Sequence, residues 1–209
     1  MQLFSRSVML TGPFAEVSAW ASGMRQYVSD KSGREIGLWS VMFGAPLGTM
    51  VYSARVEGLA DLQSIGETLL GDPDYHARLA SGRELSGGPP VDQISTPIYG
   101  EVADPPPVGS LAVVTTATIA NGAYAEAIAW SVEIAQYVED VTGFRSTFLV
   151  DDYGPFGQVR WIGVAPDAAA ADAAGQKLNA DPGYIDRLSA AGKLFAQGSG
   201  HRGLASRIA

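Results

Sequence analysis

Asp72-Pro73-Asp74-Tyr75-His76-Ala77-Arg78-Leu79 recurs 109 residues later as Asp181-Pro182-Gly183-Tyr184-Ile185-Asp186-Arg187-Leu188, with Asp, Pro, Tyr, Arg and Leu in the same five places. The same offset lays Pro46, Gly48 and Gly66 on Pro155, Gly157 and Gly175. Past a one-residue gap the offset becomes 110. Phe14-Ala15-Glu16 then meets Tyr124-Ala125-Glu126, Trp20 meets Trp130, and Gln26-Tyr27-Val28 meets Gln136-Tyr137-Val138. Asp30, Gly33 and Gly44 fall on Asp140, Gly143 and Gly154. Collinear identity at rare residue types marks a duplicated structural unit. The 209-residue chain is one unit written twice.

Each unit reads alike. Alternating, β-rich runs at Leu3 to Leu10 and Leu111 to Ile119 predict a first strand. Val17, Trp20, Ala21, Met24, Tyr27 and Val28 follow at spacings of three and four, one face of a helix. Gly33 and Gly143 stand where a helix C-cap belongs. Strands are expected at Ile36 to Phe43 and Met50 to Val56, and at Phe144 to Val150 and Val159 to Val164, each pair joined by a Gly/Pro turn. Asp151 and Asp152 fall in the second of these turns, where solvated carboxylates are expected. A second helix begins near Leu59 or Ala168, and the Asp-Pro pairs restart it with Asp as N-cap and Pro at the first position. A last strand is expected at Ile94 to Val102 and at Arg202 to Ile208.

The order β-α-β-β-α-β is the ferredoxin-like, split βαβ unit. Such a sheet carries helices on one face and leaves the other bare, and a tandem copy covers it. The expected fold is therefore α+β: two tandem ferredoxin-like βαββαβ units closed into a pseudo-dimeric α/β barrel. The boundaries read as 1–102 for the first unit, 103–109 for a Pro-rich linker (Asp104-Pro105-Pro106-Pro107), and 110–209 for the second. Two beads on a tether would fit less well, because Leu38-Trp39-Ser40-Val41-Met42 is apolar on both faces of its strand.

Composition excludes several classes. A net charge of −8, spread over both units, offers no basic face for nucleic acid. The chain has no cysteine and two unmatched histidines, His76 and His201, which leaves no zinc ligand set and no thiol nucleophile. No apolar run is long enough to span a bilayer, and Met1 to Ser7 lacks the pattern of a secretory leader. A cytoplasmic protein with no membrane partner is expected. The fold is compatible with a homo-oligomer. Motifs for nucleotide, phosphate or hydrolase chemistry are absent.

The repeated units and their Asp-Pro-x-Tyr-x-x-Arg-Leu segment resemble the dimeric α/β-barrel superfamily, which includes NIPSNAP proteins, EthD-like proteins and antibiotic-biosynthesis monooxygenases. The resemblance implies a small hydrophobic or aromatic ligand between sheet and helices. It does not carry over a haem site, since His76 is out of register with the axial ligand of haem-handling relatives. No cofactor and no metal are expected.

Within each unit, Trp20, Met24 and Tyr27, and their counterparts Trp130, Ile134 and Tyr137, are the expected ligand-binding residues. Glu16 and Glu126 lie on the edge of the same stripe and are the candidate catalytic bases, as carboxylates beside Trp and Tyr at a pocket wall. The competing reading makes each a first-turn acid facing the helix dipole. Tyr75/Arg78 and Tyr184/Arg187 read as a helical corner, with an anion clamp as the alternative. Small residues such as Ala127 and Ala135 on the first helix, and the alanine-rich run Ala168 to Ala174 on the second, point to the second unit as the roomier one. The expected function is a binding protein for a small hydrophobic or aromatic molecule. The alternative is a cofactor-independent monooxygenase acting on an aromatic substrate.

Overall fold

The computed structural model describes residues 1–209. The first unit runs β1 (Gln2–Met9), α1 (Phe14–Ser32), β2 (Ile36–Phe43), β3 (Thr49–Val56), α2 (Leu59–Leu70), α3 (Pro73–Ser81) and β4 (Val91–Tyr99). The second repeats it as β5 (Leu111–Thr118), α4 (Tyr124–Thr142), β6 (Ser146–Asp151), β7 (Gln158–Ala165), α5 (Ala168–Ala180), α6 (Pro182–Ala190) and β8 (His201–Arg207). The strands close into one antiparallel barrel in the order β1-β3-β2-β8-β5-β7-β6-β4. Each unit contributes the same order of four. The seams, β2 on β8 and β4 on β6, join strands of different units. Closure leaves no unpaired sheet edge, which removes the usual template for edge-to-edge association.

Strand alternation divides the interior into three compartments. On β1, Phe4, Arg6 and Val8 point toward the first unit's helices, while Leu3, Ser5 and Ser7 point into the barrel. Two compartments thus lie between sheet and helices, one per unit, and the third lies inside the barrel. The strand expected to begin at Ile94 begins instead at Val91, because Ser7, Arg6 and Ser5 of β1 pair with Val91, Asp92 and Gln93. Both long helices end as expected: Gly33 (φ 65°) and Gly143 (φ 76°) adopt the left-handed conformation that a side chain would strain.

The residues common to both units build a joint between helices. Asp72 caps α3 by accepting from the Asp74 N–H at 3.0 Å, and Asp181 caps α6 by accepting from the Tyr184 N–H at 2.7 Å. The Tyr27 and Tyr137 hydroxyls donate to these same carboxylates, each at 2.7 Å. The Arg78 and Arg187 guanidinium groups lie over the Tyr27 and Tyr137 rings, 4.4 and 3.9 Å from the centroids. The Trp20 and Trp130 indoles donate to the Arg78 and Arg187 carbonyls, each at 3.2 Å. One Asp-Pro segment thus ties the second helical layer to the first, twice over.

This joint makes stability depend on pH. The Lys31 ammonium, 2.5 Å from Asp72, and then the Tyr27 hydroxyl hold the Asp72 carboxyl down from 3.8 to about 2. A carboxylate depressed in the folded state stabilises above its unfolded pKa, and that contribution disappears as pH falls through the folded one. Between pH 3.8 and about 2, wild type should therefore lose more melting temperature than Asp72→Asn. Parallel acid limbs in a pH series of thermal melts would rule out this assignment.

Candidate functional site

Helix α1 decides which expected residues reach the site. Val17, Ala21 and Met24 are buried and define its inner direction. At 100° per residue, Trp20 and Tyr27 sit roughly 70–90° from that direction and Glu16 about 110°. Glu16 is accordingly exposed and lines none of the three compartments, and Glu126 behaves the same way on α4. Neither is placed to act as a base in a pocket. Tyr27 and Tyr137 also stay out of the cavity linings, because their hydroxyls are committed to the Asp72 and Asp181 caps. Trp20 and Met24 do line the first unit's compartment, and Trp130 and Ile134 line the second's.

The two compartments differ sharply in size. The first encloses about 910 Å³ and the second about 160 Å³, so the roomier unit is the first, against the expectation drawn from helix alanines. The strands explain the reversal. Register places Tyr52 opposite Leu38 in the first unit and Trp161 opposite Phe148 at the same place in the second. Ser86 bridges to Leu10 as Phe195 bridges to Ile119. Leu38, Tyr52 and Ser86 are thus replaced by Phe148, Trp161 and Phe195. These three pack with Trp130 in one aromatic cluster: Trp161 stacks on Phe148 at 5.3 Å, and Phe195 meets Trp130 and Trp161 edge-on at 5.5 and 5.7 Å. Bulk from the strands fills the space that small helix residues leave.

The first cavity has a largely apolar wall, on which Ser32, Arg34 and Arg83 also appear, and one corner where both members of an ion pair line it. Phe4, Val8, Leu10, Trp20, Met24 and Ile65 supply the apolar wall. At the corner Arg6 grips Asp92 with two hydrogen bonds, Nε to Oδ1 and Nη2 to Oδ2, both 2.7 Å. That bidentate contact raises the Arg6 pKa further, so the guanidinium keeps its charge. Tyr52 and Tyr75 complete the corner. Burial pushes the Tyr52 phenol well above its ordinary value. It stays protonated and donates to the Ala21 carbonyl at 3.3 Å. His76 stands at the rim, its Nε2 2.8 Å from the Leu70 carbonyl at the end of α2. Because a carbonyl only accepts, Nε2 donates in this contact, and in the neutral ring Nδ1 is then an acceptor. In the second unit the register positions of Arg6 and Asp92 are held by Thr115 and Arg202, so the ion pair has no counterpart there.

No protein-family model and no curated protein matches the chain. Solved structures do match it along its length. A protein named "putative monooxygenase" from Fusobacterium nucleatum subsp. nucleatum ATCC 25586 superposes with a TM-score of 0.71 at 9% identity, over 100% of this chain and 92% of that one. An anthrone oxidase-like protein gives 0.67 at 13% identity, over 100% and 92%. A second protein named "putative monooxygenase", from Lactobacillus acidophilus NCFM, gives 0.62 at 7% identity, over 99% and 93%. The fold is the dimeric α/β barrel. At such identities the likeness extends to the fold alone, and the chemistry has to be argued from the residues of this chain.

Arg6, Tyr52, Tyr75 and Asp92 were not marked as a site by sequence reasoning, although one signal for them exists. Arg6 occupies a helix-facing strand position whose register partner in the other unit is Thr115. Most positions where the two units agree build the helical joint, whereas the Arg6–Asp92 pair falls where they differ. No helix in the chain is long and apolar enough to cross a membrane.

Proposed function

We propose that the chain binds one flat, largely apolar small molecule bearing a carbonyl or phenolic oxygen, in the cavity of the first unit. One observation carries this reading: a largely apolar space of about 910 Å³ in which the Arg6–Asp92 ion pair and two tyrosines meet at one corner. Ligand sites of this size, with a few convergent polar groups in an apolar wall, suit drug-sized molecules. The Arg6–Asp92 pair is balanced in charge, so the corner favours an oxygen that accepts hydrogen bonds over a fully charged head. The solved barrels named as putative monooxygenases and anthrone oxidase-like share this fold, which is in keeping with a small aromatic ligand.

A second reading, oxygenation of such a ligand, is favoured by the chemistry facing the same space. Arg6 is placed to stabilise negative charge developing on a ligand oxygen. His76 Nδ1 and Asp92 are the acceptors on the lining, which gives them the proton-accepting role that Glu16 and Glu126 are too far round the helix to perform. With anthrone as probe, loss of a ring-methylene proton would be followed by attack of the carbanion on O2. Loss of water from the resulting peroxide gives anthraquinone, so one O2 is consumed and one water is released.

The test uses anthrone in two steps. Under argon, titration should perturb the 19F resonance of fluorotryptophan at Trp20, saturably. Arg6→Met should weaken that binding by roughly tenfold, the usual worth of a charge-assisted hydrogen bond. In air, formation of anthraquinone faster than the buffer blank, and lost in Arg6→Met, supports the oxygenase reading. Saturable binding without turnover supports binding alone. An unmoved Trp20 resonance eliminates both.

A further inference from the structure

The barrel interior is a separate space of about 580 Å³, and the binding reading above makes no use of it. A buried ion pair stands in its wall. Arg160 of β7 and Asp151 of β6 meet at 2.8 Å, with 9% and 0% of their side chains exposed. Asp151 was expected in a solvated turn. It is instead the last residue of β6, where alternation turns it inward with Leu149.

The hydrogen-bond inventory of this pair is lopsided. Asp151 is fully engaged, accepting from Ser95 Oγ at 2.6 Å, Gln93 Nε2 at 3.2 Å and Arg160 Nη2. Arg160 uses only Nη2, which also donates to Gln93 Oε1 at 2.6 Å. A guanidinium has five N–H donors; here Nε is buried unpaired, where an unmade bond is costly, and Nη1 is left without a protein acceptor. Thr116, which faces Arg160 across the β5–β7 ladder, and Ser5, which faces Gln93 across β1–β4, bring hydroxyls to the same place. Trp39, Val41, Val51, Val114, Ile162 and Ala205 give the chamber an apolar stretch of wall, while Arg55, Glu101, Asp104 and Arg145 also line it.

We infer that the barrel interior is a second ligand site, specific for a small monocarboxylate with an aromatic or branched apolar body. The head sits against Arg160 Nη1 and the Thr116 and Ser5 hydroxyls. Its body lies along Trp39. Arg160 Nη1 and the Thr116 and Ser5 hydroxyls are all able to donate, and the Asp151 carboxylate beside them is already saturated. The site therefore selects an acceptor-only head and discriminates against neutral analogues, the reverse of the preference at the Arg6 corner.

The four tryptophans allow the sites to be read separately. Trp39 faces the barrel interior, Trp20 the first unit's cavity, and Trp130 and Trp161 the second unit's small pocket. The experiment labels the full chain with 5-fluorotryptophan, assigns each resonance by Trp→Phe substitution, and titrates with 2-naphthoate. The Trp39 resonance should shift saturably. Uncharged 2-naphthalenemethanol should bind there at least roughly tenfold more weakly. The Arg160→Met/Asp151→Asn double variant, which removes both charges together, should lose the naphthoate preference. An unmoved Trp39 resonance overturns the inference. So does equal affinity for acid and alcohol in wild type, a result that holds whether or not the double variant folds. A response confined to Trp20 would place the probe in the first unit's cavity and also count against the interior site. Failure of anthrone at Trp20 leaves the Trp39 result intact, so the two proposals fail independently.

Discussion

Asp151→Ala should lower the melting temperature by something on the order of 10 °C. Removing one member of a buried ion pair strands the other charge in the protein and costs about 3–5 kcal/mol. For a chain of this length each kcal/mol corresponds to roughly 2–4 °C. Asp151 is the fully buried member, and its loss also removes the acceptor for Ser95 Oγ. Arg160 would then keep only Gln93 Oε1 as a partner. The double variant Arg160→Met/Asp151→Asn should recover most of the loss, because no charge is left stranded and the Asn carbonyl can still accept from Ser95 or Gln93. Scanning calorimetry of wild type, single and double variants tests the assignment. A single variant as stable as wild type would show that water reaches Arg160 freely and that the pair is not buried in solution.

The second large effect concerns ligand uptake. Ser86→Phe places in the first unit the residue that fills the second, where Phe195 packs on Trp130 and Trp161. Affinity for anthrone at Trp20 should fall roughly a hundredfold or more, since a filled cavity rejects a ligand sterically. Stability should hold or rise, because the added ring enters empty apolar space rather than a packed core. Undiminished anthrone binding would mean that the ligand lies away from the Ser86 end of the cavity. A cooperative melt with no binding isolates the pocket from the fold, a separation that truncating Trp20 would not give. Trp20 also ties α1 to the Arg78 carbonyl.

The fold was legible in the chain because it was written twice. Gly33, Gly143 and the two Asp-Pro caps are local devices, and local devices show in sequence. The closed strand order follows from two bare sheet faces that need cover. The site was legible only on its helix side. Trp20, Met24, Trp130 and Ile134 reach the compartments, but Glu16, Glu126, Tyr27 and Tyr137 were assigned from a stripe that α1 and α4 turn toward solvent or toward the caps. Arg6 and Asp92 are 86 residues apart and meet only through β1–β4 pairing, which no local pattern announces. The size of each compartment was misjudged for a related reason. It is set by strand residues such as Tyr52 and Trp161, whose role depends on which face of the barrel they occupy.

The sharing of one barrel by two unequal halves has an evolutionary consequence. In a homodimer one codon writes two positions, so a cavity cannot be kept on one side and filled on the other. Here Tyr52 and Trp161 are written separately. A substitution that fills the second half leaves the first unchanged. The aromatic cluster of the second half can act as ballast, leaving the first free to hold an open space that would cost either half of a symmetric pair its packing. On this view the pocket persists because the gene carries a spare.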